Sequence, residues 1–182
     1  MTVQPQDTLL LFGATFVWLL QWASGLAGAL LALLTPIVLL LSQGMLPAMN
    51  GRFVSDVLDA SPSAVVAIFA MLALILAALC RFFGHLRAII FSASESDPFT
   101  PQNAARLNAM AWLFLGVKLV SLLVGALRLH LANLVRPEGS GRDTLDFSVY
   151  DLNAVVIALV LFTLARVFRQ GAAMREDLNG TV

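Results

Sequence analysis

Long apolar runs separated by short polar breaks dominate the chain and predict four helices that cross a membrane. The first run, residues 9–41, carries no charge, although a bilayer core needs only about 20 helical residues. Residues 9–20 are therefore either an interfacial segment that bends into the bilayer or the start of one long tilted helix. The four spans are predicted at about 17–42, 61–83, 105–130 and 151–170 of a single membrane domain, 1–182.

Two helix starts are marked by a hydroxyl residue followed by proline. Ser61–Pro62 and Thr100–Pro101 each predict an N-cap and then the first helical position, where proline loses no helical hydrogen bond. Asn103 then stands at the third helical position. We expect the connections at roughly 43–60, 92–100 and 133–150.

The second and fourth helices are predicted to continue past the bilayer as amphipathic extensions, over residues 81–90 and 164–178. The alternative for the second of these segments is a tail that lies on the membrane surface without a partner. The apolar residues of the C-terminal segment that share one face are Leu164, Val167, Phe168, Gly171, Met174 and Leu178.

Composition agrees with an all-α, polytopic membrane protein. The chain is 59% hydrophobic and 12% charged, with a mean hydropathy of +0.88. Soluble domains carry about 25% charged residues. A net charge of zero argues against direct binding of nucleic acid, so the lipid bilayer is the first expected partner.

The distribution of basic residues predicts an orientation with both termini in the cytoplasm, because cytoplasmic loops carry an excess of Lys and Arg. We therefore expect a multi-pass protein of the cell inner membrane. The predicted cytoplasmic side holds Arg81, Arg87, Arg106, Arg166, Arg169 and Arg175, and the opposite side holds Arg52, Arg128, Arg136 and Arg142.

No catalytic, cofactor-binding or metal-binding pattern stands out in the sequence, and we expect no enzyme. His85 and His130 fall at opposite ends of different spans and cannot share a metal ion. The acidic residues Asp143, Asp146 and Asp151 are interpreted as part of a solvated outer loop rather than as a cation site.

Lys118 is the one charged residue near the middle of a predicted span. A charge at that depth is costly and marks a hypothetical functional site, such as a step in an ion or solute pathway. Gln21, Asn153 and Asp151 are its candidate partners. The competing interpretation is that Lys118 snorkels or faces a polar seam between helices.

Small residues on the first and third helices predict close approach to neighbouring helices. We interpret them as sites of packing within the chain rather than as a dimer interface. A homo-oligomer stays possible as the alternative. They are Ser24, Gly25 and Gly28 on the first helix, and Gly116, Ser121 and Gly125 on the third.

Two segments resemble the DUF2975 family of small four-helix bacterial membrane proteins. The first is DPFTPQNAARLNAMAWLFL at 97–115, and the second is ARVFRQGAAMREDLNGTV at 165–182. Asn179–Gly180 departs from the more common ending, in which Leu is followed directly by Thr-Val. The candidate interaction motif comprises Asp97, Pro98, Phe99, Thr100, Asn103, Arg106 and Leu107, with Glu176, Asp177, Leu178, Thr181 and Val182.

The biochemical role of the family is not established, but many members are encoded beside a small helix-turn-helix transcription regulator. The resemblance therefore implies a membrane component that engages a small cytoplasmic DNA-binding regulator. The alternative function is a subunit of a small transporter or channel that uses Lys118.

Phe99 precedes the predicted cap, and Ala104 gives it little to pack on in a hydrophobic staple. The side chain of Phe99 is therefore expected to contact one of three things: its own helical bundle, the lipid surface or another protein.

Overall fold

Four long helices make up nearly all of the part of the chain that the structure, a computed structural model, describes: residues 5–42, 61–94, 98–135 and 149–179. No strand occurs within these residues, so the predicted all-α class is confirmed. The helices are α1 (Pro5–Ser42), α2 (Pro62–Ser94), α3 (Pro101–Val135) and α4 (Val149–Asn179).

Both predicted helix starts are confirmed. Helix α2 begins at Pro62, and the Ser61 carbonyl accepts a hydrogen bond from the Val65 N–H at 3.3 Å. Helix α3 begins at Pro101, and the Thr100 Oγ1 accepts from the Asn103 N–H at 3.2 Å. Thr100 is therefore the N-cap that satisfies a donor left open by the helix geometry.

The first helix is one unbroken element from Pro5 to Ser42, with Pro36 inside it. Residues 9–20 are continuous with the rest of α1, as the long-helix alternative expects. The extension of α2 to Ser94 and of α4 to Asn179 likewise carries both helices well beyond the predicted spans. The positions at which the bilayer begins and ends along each helix stay predictions.

Each helix is long and apolar enough to cross a membrane. The spans permitted by length and composition are Phe12–Leu40, Pro62–Ala93, Pro101–Leu134 and Asn153–Asp177, with mean hydropathies of 2.1, 2.8, 2.1 and 1.7. Only 11%, 6%, 17% and 17% of the respective apolar windows are buried within the chain. Apolar surface on that scale is not stable in water, so these helices belong in lipid and the chain is a multi-pass membrane protein.

The chain divides into two compact units. The first contains Met1–Ser24, Ala78–Val117 and Val149–Val182, and the second contains Gly25–Ala77 and Lys118–Ser148. Helix α4 lies wholly in the first unit.

Small side chains form much of the buried surface of the described residues, and α4 shows this most clearly. Its buried residues are Ala154, Ala158, Ala165 and Ala172. On the apolar face predicted for α4, Leu164, Val167 and Met174 are 39%, 49% and 63% exposed, while Phe168 and Gly171 are partly buried. Lipid solvates large apolar side chains as well as a protein core does, so the helix turns its alanines inward to allow close packing.

The prediction of close approach at small residues holds at one glycine and fails at another. In the second unit, a Cβ added to Gly28 would lie 3.2 Å from the Leu76 Cβ and 3.7 Å from the Ala77 backbone nitrogen. Gly116, in the first unit, is exposed, and an added Cβ would meet nothing within 4 Å. Gly28 is thus a packing residue, whereas Gly116 is not.

Candidate functional site

The junction between α2 and α3 is organised around Asn103, which is completely buried. Its Nδ2 donates to the Ser92 Oγ at 2.9 Å and to the Pro98 carbonyl at 3.0 Å. Its Oδ1 accepts from the Arg106 Nη1 at 2.9 Å, and the same nitrogen lies 3.5 Å from the Ala88 carbonyl. We name these five residues the junction clasp.

The junction clasp satisfies both ends of a buried amide. An amide has two donor hydrogens and an acceptor oxygen, and all three are used here. The donors fix the end of α2 and the connecting loop, while the acceptor orients Arg106 toward α2. The residues that follow on α3 are also buried: Ala104, Leu107, Met110 and Ala111. The clasp therefore holds a local core in register.

Phe99 packs on α4, so of the three contacts expected from the sequence, the structure shows the one within its own helical bundle. Its ring lies 5.0 Å from the ring of Phe168, centroid to centroid, at an interplanar angle of 43°. A Cβ added to Gly171 would lie only 2.9 Å from the Phe99 Cδ1, so Gly171 makes the space that the ring occupies. Phe99 still keeps 42% of its surface exposed. This Phe99–Gly171 contact joins the α2–α3 loop to α4.

The structure describes only part of the second half of the candidate motif. Glu176 and Asp177 are exposed near the end of α4. Asp97, Thr181, Val182 and the side chain of Leu178 lie outside the described residues, so nothing is shown of their contacts. The link between the two motif segments is instead made by Phe168 and Gly171.

A cleft of about 360 Å³ lies beside α4 in the first unit. We name it the α4 cleft. Two arginines on successive turns give it a basic rim, and Phe162 contributes an aromatic wall whose ring packs edge-on against Trp112 at 5.5 Å. This cleft was not predicted from the sequence, although the spacing of the polar residues along α4 shows that they share a face. The lining residues are Asn108, Phe162, Ala165, Arg166, Arg169 and Gln170.

Lys118 is half-buried on α3 and takes part in at least one interaction. It belongs to the second unit, whereas its three predicted partners, Gln21, Asp151 and Asn153, belong to the first. Asn153 is exposed, and the side chain of Asp151 is outside the described residues. Pairing of Lys118 with any of the three stays a prediction.

Among the described residues, no group of three or more His, Cys, Asp or Glu side chains could hold a metal ion. His85 lies in the first unit and His130 in the second. Asp143 and Asp146, in the predicted outer loop, are outside the described residues. The absence of an enzymatic activity stays an expectation from the sequence.

The family model described as "Protein of unknown function (DUF2975)" matches residues 45–182, which is more than half of the chain. The chain belongs to the DUF2975 family. The match takes in α2, α3 and α4 and begins after the end of α1. Every residue of the junction clasp and of the Phe99–Gly171 contact lies inside it. No curated protein and no solved structure matches this DUF2975 chain.

Proposed function

We propose that this DUF2975 protein is a membrane-embedded interaction protein that presents the α2–α3 loop and the end of α4 to a soluble regulator as one preformed surface. The observation that carries the proposal is the Phe99–Gly171 contact, because it fixes a half-exposed aromatic ring on the helix that also carries the α4 cleft. A preformed surface loses less conformational entropy on binding than a mobile loop.

The composition of this surface suits a protein interface. Met174 and Phe99 are 63% and 42% exposed, and Arg166 and Arg169 are exposed on the face of α4 that lines the α4 cleft. Aromatic residues, methionine and arginine are enriched at protein interfaces relative to other surfaces. The two arginines favour an acidic patch on the partner, since opposite charges steer association and fix register.

The proposed partner is a small cytoplasmic helix-turn-helix regulator, as the family resemblance implies. Such a regulator reserves a basic face for DNA phosphates, so an acidic face is the one free to meet the arginines of α4. The proposal also requires the predicted orientation, in which α4 ends on the cytoplasmic side of a bacterial inner membrane.

The test is co-expression with a small helix-turn-helix regulator of the kind that the family resemblance implies, followed by purification in mild detergent and measurement of the molar ratio of the two proteins. We expect a stable complex. The double variant Arg166→Glu, Arg169→Glu should weaken it at least about tenfold, since like charges across an interface cost several kcal/mol. Arg128→Glu is the matched control, because Arg128 is also an exposed helical arginine but lies in the second unit.

The removal of residues 176–182 separates the contribution of the acidic tail from that of the arginines. Failure of the wild-type protein to retain the regulator contradicts the proposal. Equal weakening by Arg128→Glu and by the α4 double variant contradicts the location of the surface, provided that all variants keep the wild-type melting temperature in detergent.

The alternative, a subunit of a small transporter or channel, is favoured by the half-buried position of Lys118 in an apolar helix. Charged residues inside spans commonly serve such pathways. If it is correct, proteoliposomes should show ion or solute flux that Lys118→Met abolishes and Arg128→Gln leaves unchanged. Absence of flux with the wild-type protein rules this alternative out.

A further inference from the structure

A second cleft of about 360 Å³ lies within the first unit, and it is lined by one residue of α1 and four of α2. The α1 residue is Gln21. A Cβ added to Gly84 would lie 3.3 Å from the Gln21 Nε2, so the glycine provides the space in which this amide sits. We name this site the Gln21 cleft. The α2 residues that line it are Gly84, Arg87, Ala88 and Phe91.

The amide of Gln21 has an unsatisfied oxygen. Its Oε1 is shielded from solvent and has no hydrogen-bond partner among the described residues. Nearly all buried polar side-chain atoms in proteins have a partner, so an orphaned acceptor indicates a missing donor. The terminal torsion of glutamine is broad, and exchange of its oxygen and nitrogen by rotation puts the oxygen beside Gly84, which lines the cleft.

The surroundings of Gln21 indicate the headgroup region of a membrane. Trp18 and Trp22 flank it on α1, with ring centroids 6.1 Å apart and exposures of 43% and 57%. Exposed tryptophans concentrate where lipid headgroups meet the hydrocarbon. Arg87 adds an exposed cation to the rim, and the exposed ring of Phe91 adds apolar surface next to it.

We propose that the Gln21 cleft binds a phospholipid whose phosphate pairs with the Arg87 guanidinium and whose headgroup donates a hydrogen bond to the Gln21 amide oxygen. Arginine forms strong charge-assisted hydrogen bonds with phosphate oxygens. The ammonium of phosphatidylethanolamine and the hydroxyls of phosphatidylglycerol are both donors, whereas the quaternary ammonium of phosphatidylcholine has no hydrogen to donate. None of these residues lines the α4 cleft, so the proposal does not depend on a regulator.

The experiment measures lipid retained by the purified full-length protein after exchange into detergent containing each of the three phospholipids, by native mass spectrometry. We expect phosphatidylethanolamine and phosphatidylglycerol to be retained about fivefold better than phosphatidylcholine, the contribution of one hydrogen bond. Gln21→Leu should reduce both to the level of phosphatidylcholine. Arg87→Gln should lower retention of all three by roughly tenfold, and Arg87→Lys should restore part of it.

Arg81→Gln is the matched control, because Arg81 is an exposed arginine on α2 that does not line the cleft, and it should retain lipid like the wild type. Glycerophosphoethanolamine, the soluble headgroup alone, should not displace bound lipid. Equal retention of all three lipids by the wild type, unchanged retention in Arg87→Gln, or displacement by the soluble headgroup would each overturn the proposal. Melting temperatures in detergent establish that every variant is folded.

Discussion

The junction clasp and the Gly28–Leu76 approach hold helices together by opposite means. At the clasp, a fully buried amide makes three short hydrogen bonds, one to a side chain of each helix and one to the backbone of the loop between them. At Gly28, in the second unit, there is no side chain, and the neighbouring helix comes as close as the missing Cβ permits. The clasp depends on the amide atoms of the Asn103 side chain. The close approach of the helices at Gly28 depends on the absence of a Cβ at that residue.

The difference follows from the surroundings of the two regions. The clasp joins a loop to two helix ends, where backbone groups need partners that the helices cannot supply. Gly28 lies inside a long apolar helix whose backbone is already satisfied, and in lipid no hydrophobic effect drives helices together. Dispersion contacts then increase only as the backbones come closer. The clasp should therefore fail when atoms are removed, and the Gly28 approach should fail when atoms are added.

The largest effect is expected from Asn103→Ala. It removes the three amide hydrogen bonds, so that the Pro98 carbonyl keeps the Thr100 N–H at 3.1 Å and the Arg106 Nη1 keeps the long contact to the Ala88 carbonyl at 3.5 Å. We expect the free energy of unfolding in detergent to fall by about 3 kcal/mol. Reversible unfolding monitored by circular dichroism measures it. Asn153→Ala, at an exposed position on α4, is the control and should change stability little; a similar loss in both variants would contradict the clasp.

Gly28→Leu tests the other region by adding atoms. The new side chain must displace Leu76 or part the helices, and overpacking of this kind costs about 2 kcal/mol. The same unfolding measurement applies. Gly116→Leu is matched in chemistry and is expected to be neutral or slightly stabilising, because it adds a good helix former where an added Cβ meets nothing within 4 Å. Equal losses at both glycines would show that glycine acts through the backbone and not through close approach.

Gly171→Ala combines both kinds of contact, since an added methyl group displaces the Phe99 ring that anchors the loop. We expect a loss of about 1.5 kcal/mol in the wild-type background. In a Phe99→Ala background the clash is gone, and the same change should stabilise the chain by up to about 1 kcal/mol through helix propensity. A double-mutant cycle measures the reversal of sign, and additive effects would exclude the contact.

The smallest effect is expected from Thr100→Ala, which removes the N-cap hydrogen bond to the Asn103 backbone but leaves the amide network in place. The cost of losing such a cap is about 1 kcal/mol, and Thr100→Ser should recover most of it. The unfolding free energies of the two variants distinguish capping from any loss of the threonine methyl group.

Local chemistry explains which features were predictable from the sequence. The starts at Pro62 and Pro101 depend on two adjacent residues, and the four helices depend on runs of apolar residues, so both could be identified without a structure. The side-chain hydrogen bonds of Asn103 could not be predicted from the sequence, because its partner Ser92 comes from the preceding helix. The buried alanines of α4 could not be identified from the apolar pattern, because lipid solvates large apolar side chains as well as a protein core does.

The Phe99–Gly171 contact could be posed only as a question from the sequence. A staple on Ala104 is a local arrangement, and its weakness left three contacts open for Phe99: its own bundle, the lipid surface or another protein. Nothing in the spacing of residues selects Gly171, which is distant in sequence and has no side chain to suggest an interaction. Only the geometry identifies it as the position that receives the ring.

The junction clasp also has a consequence for the order in which the chain assembles. All its residues lie between Ala88 and Arg106, so a ribosome completes them long before it synthesises Phe168 and Gly171. Helices α2 and α3 can therefore lock as a hairpin during translation, before the residues that receive the Phe99 ring are made. Helix α4 is the least apolar of the four spans by mean hydropathy. It then inserts last and packs against an α2–α3 hairpin that has already formed.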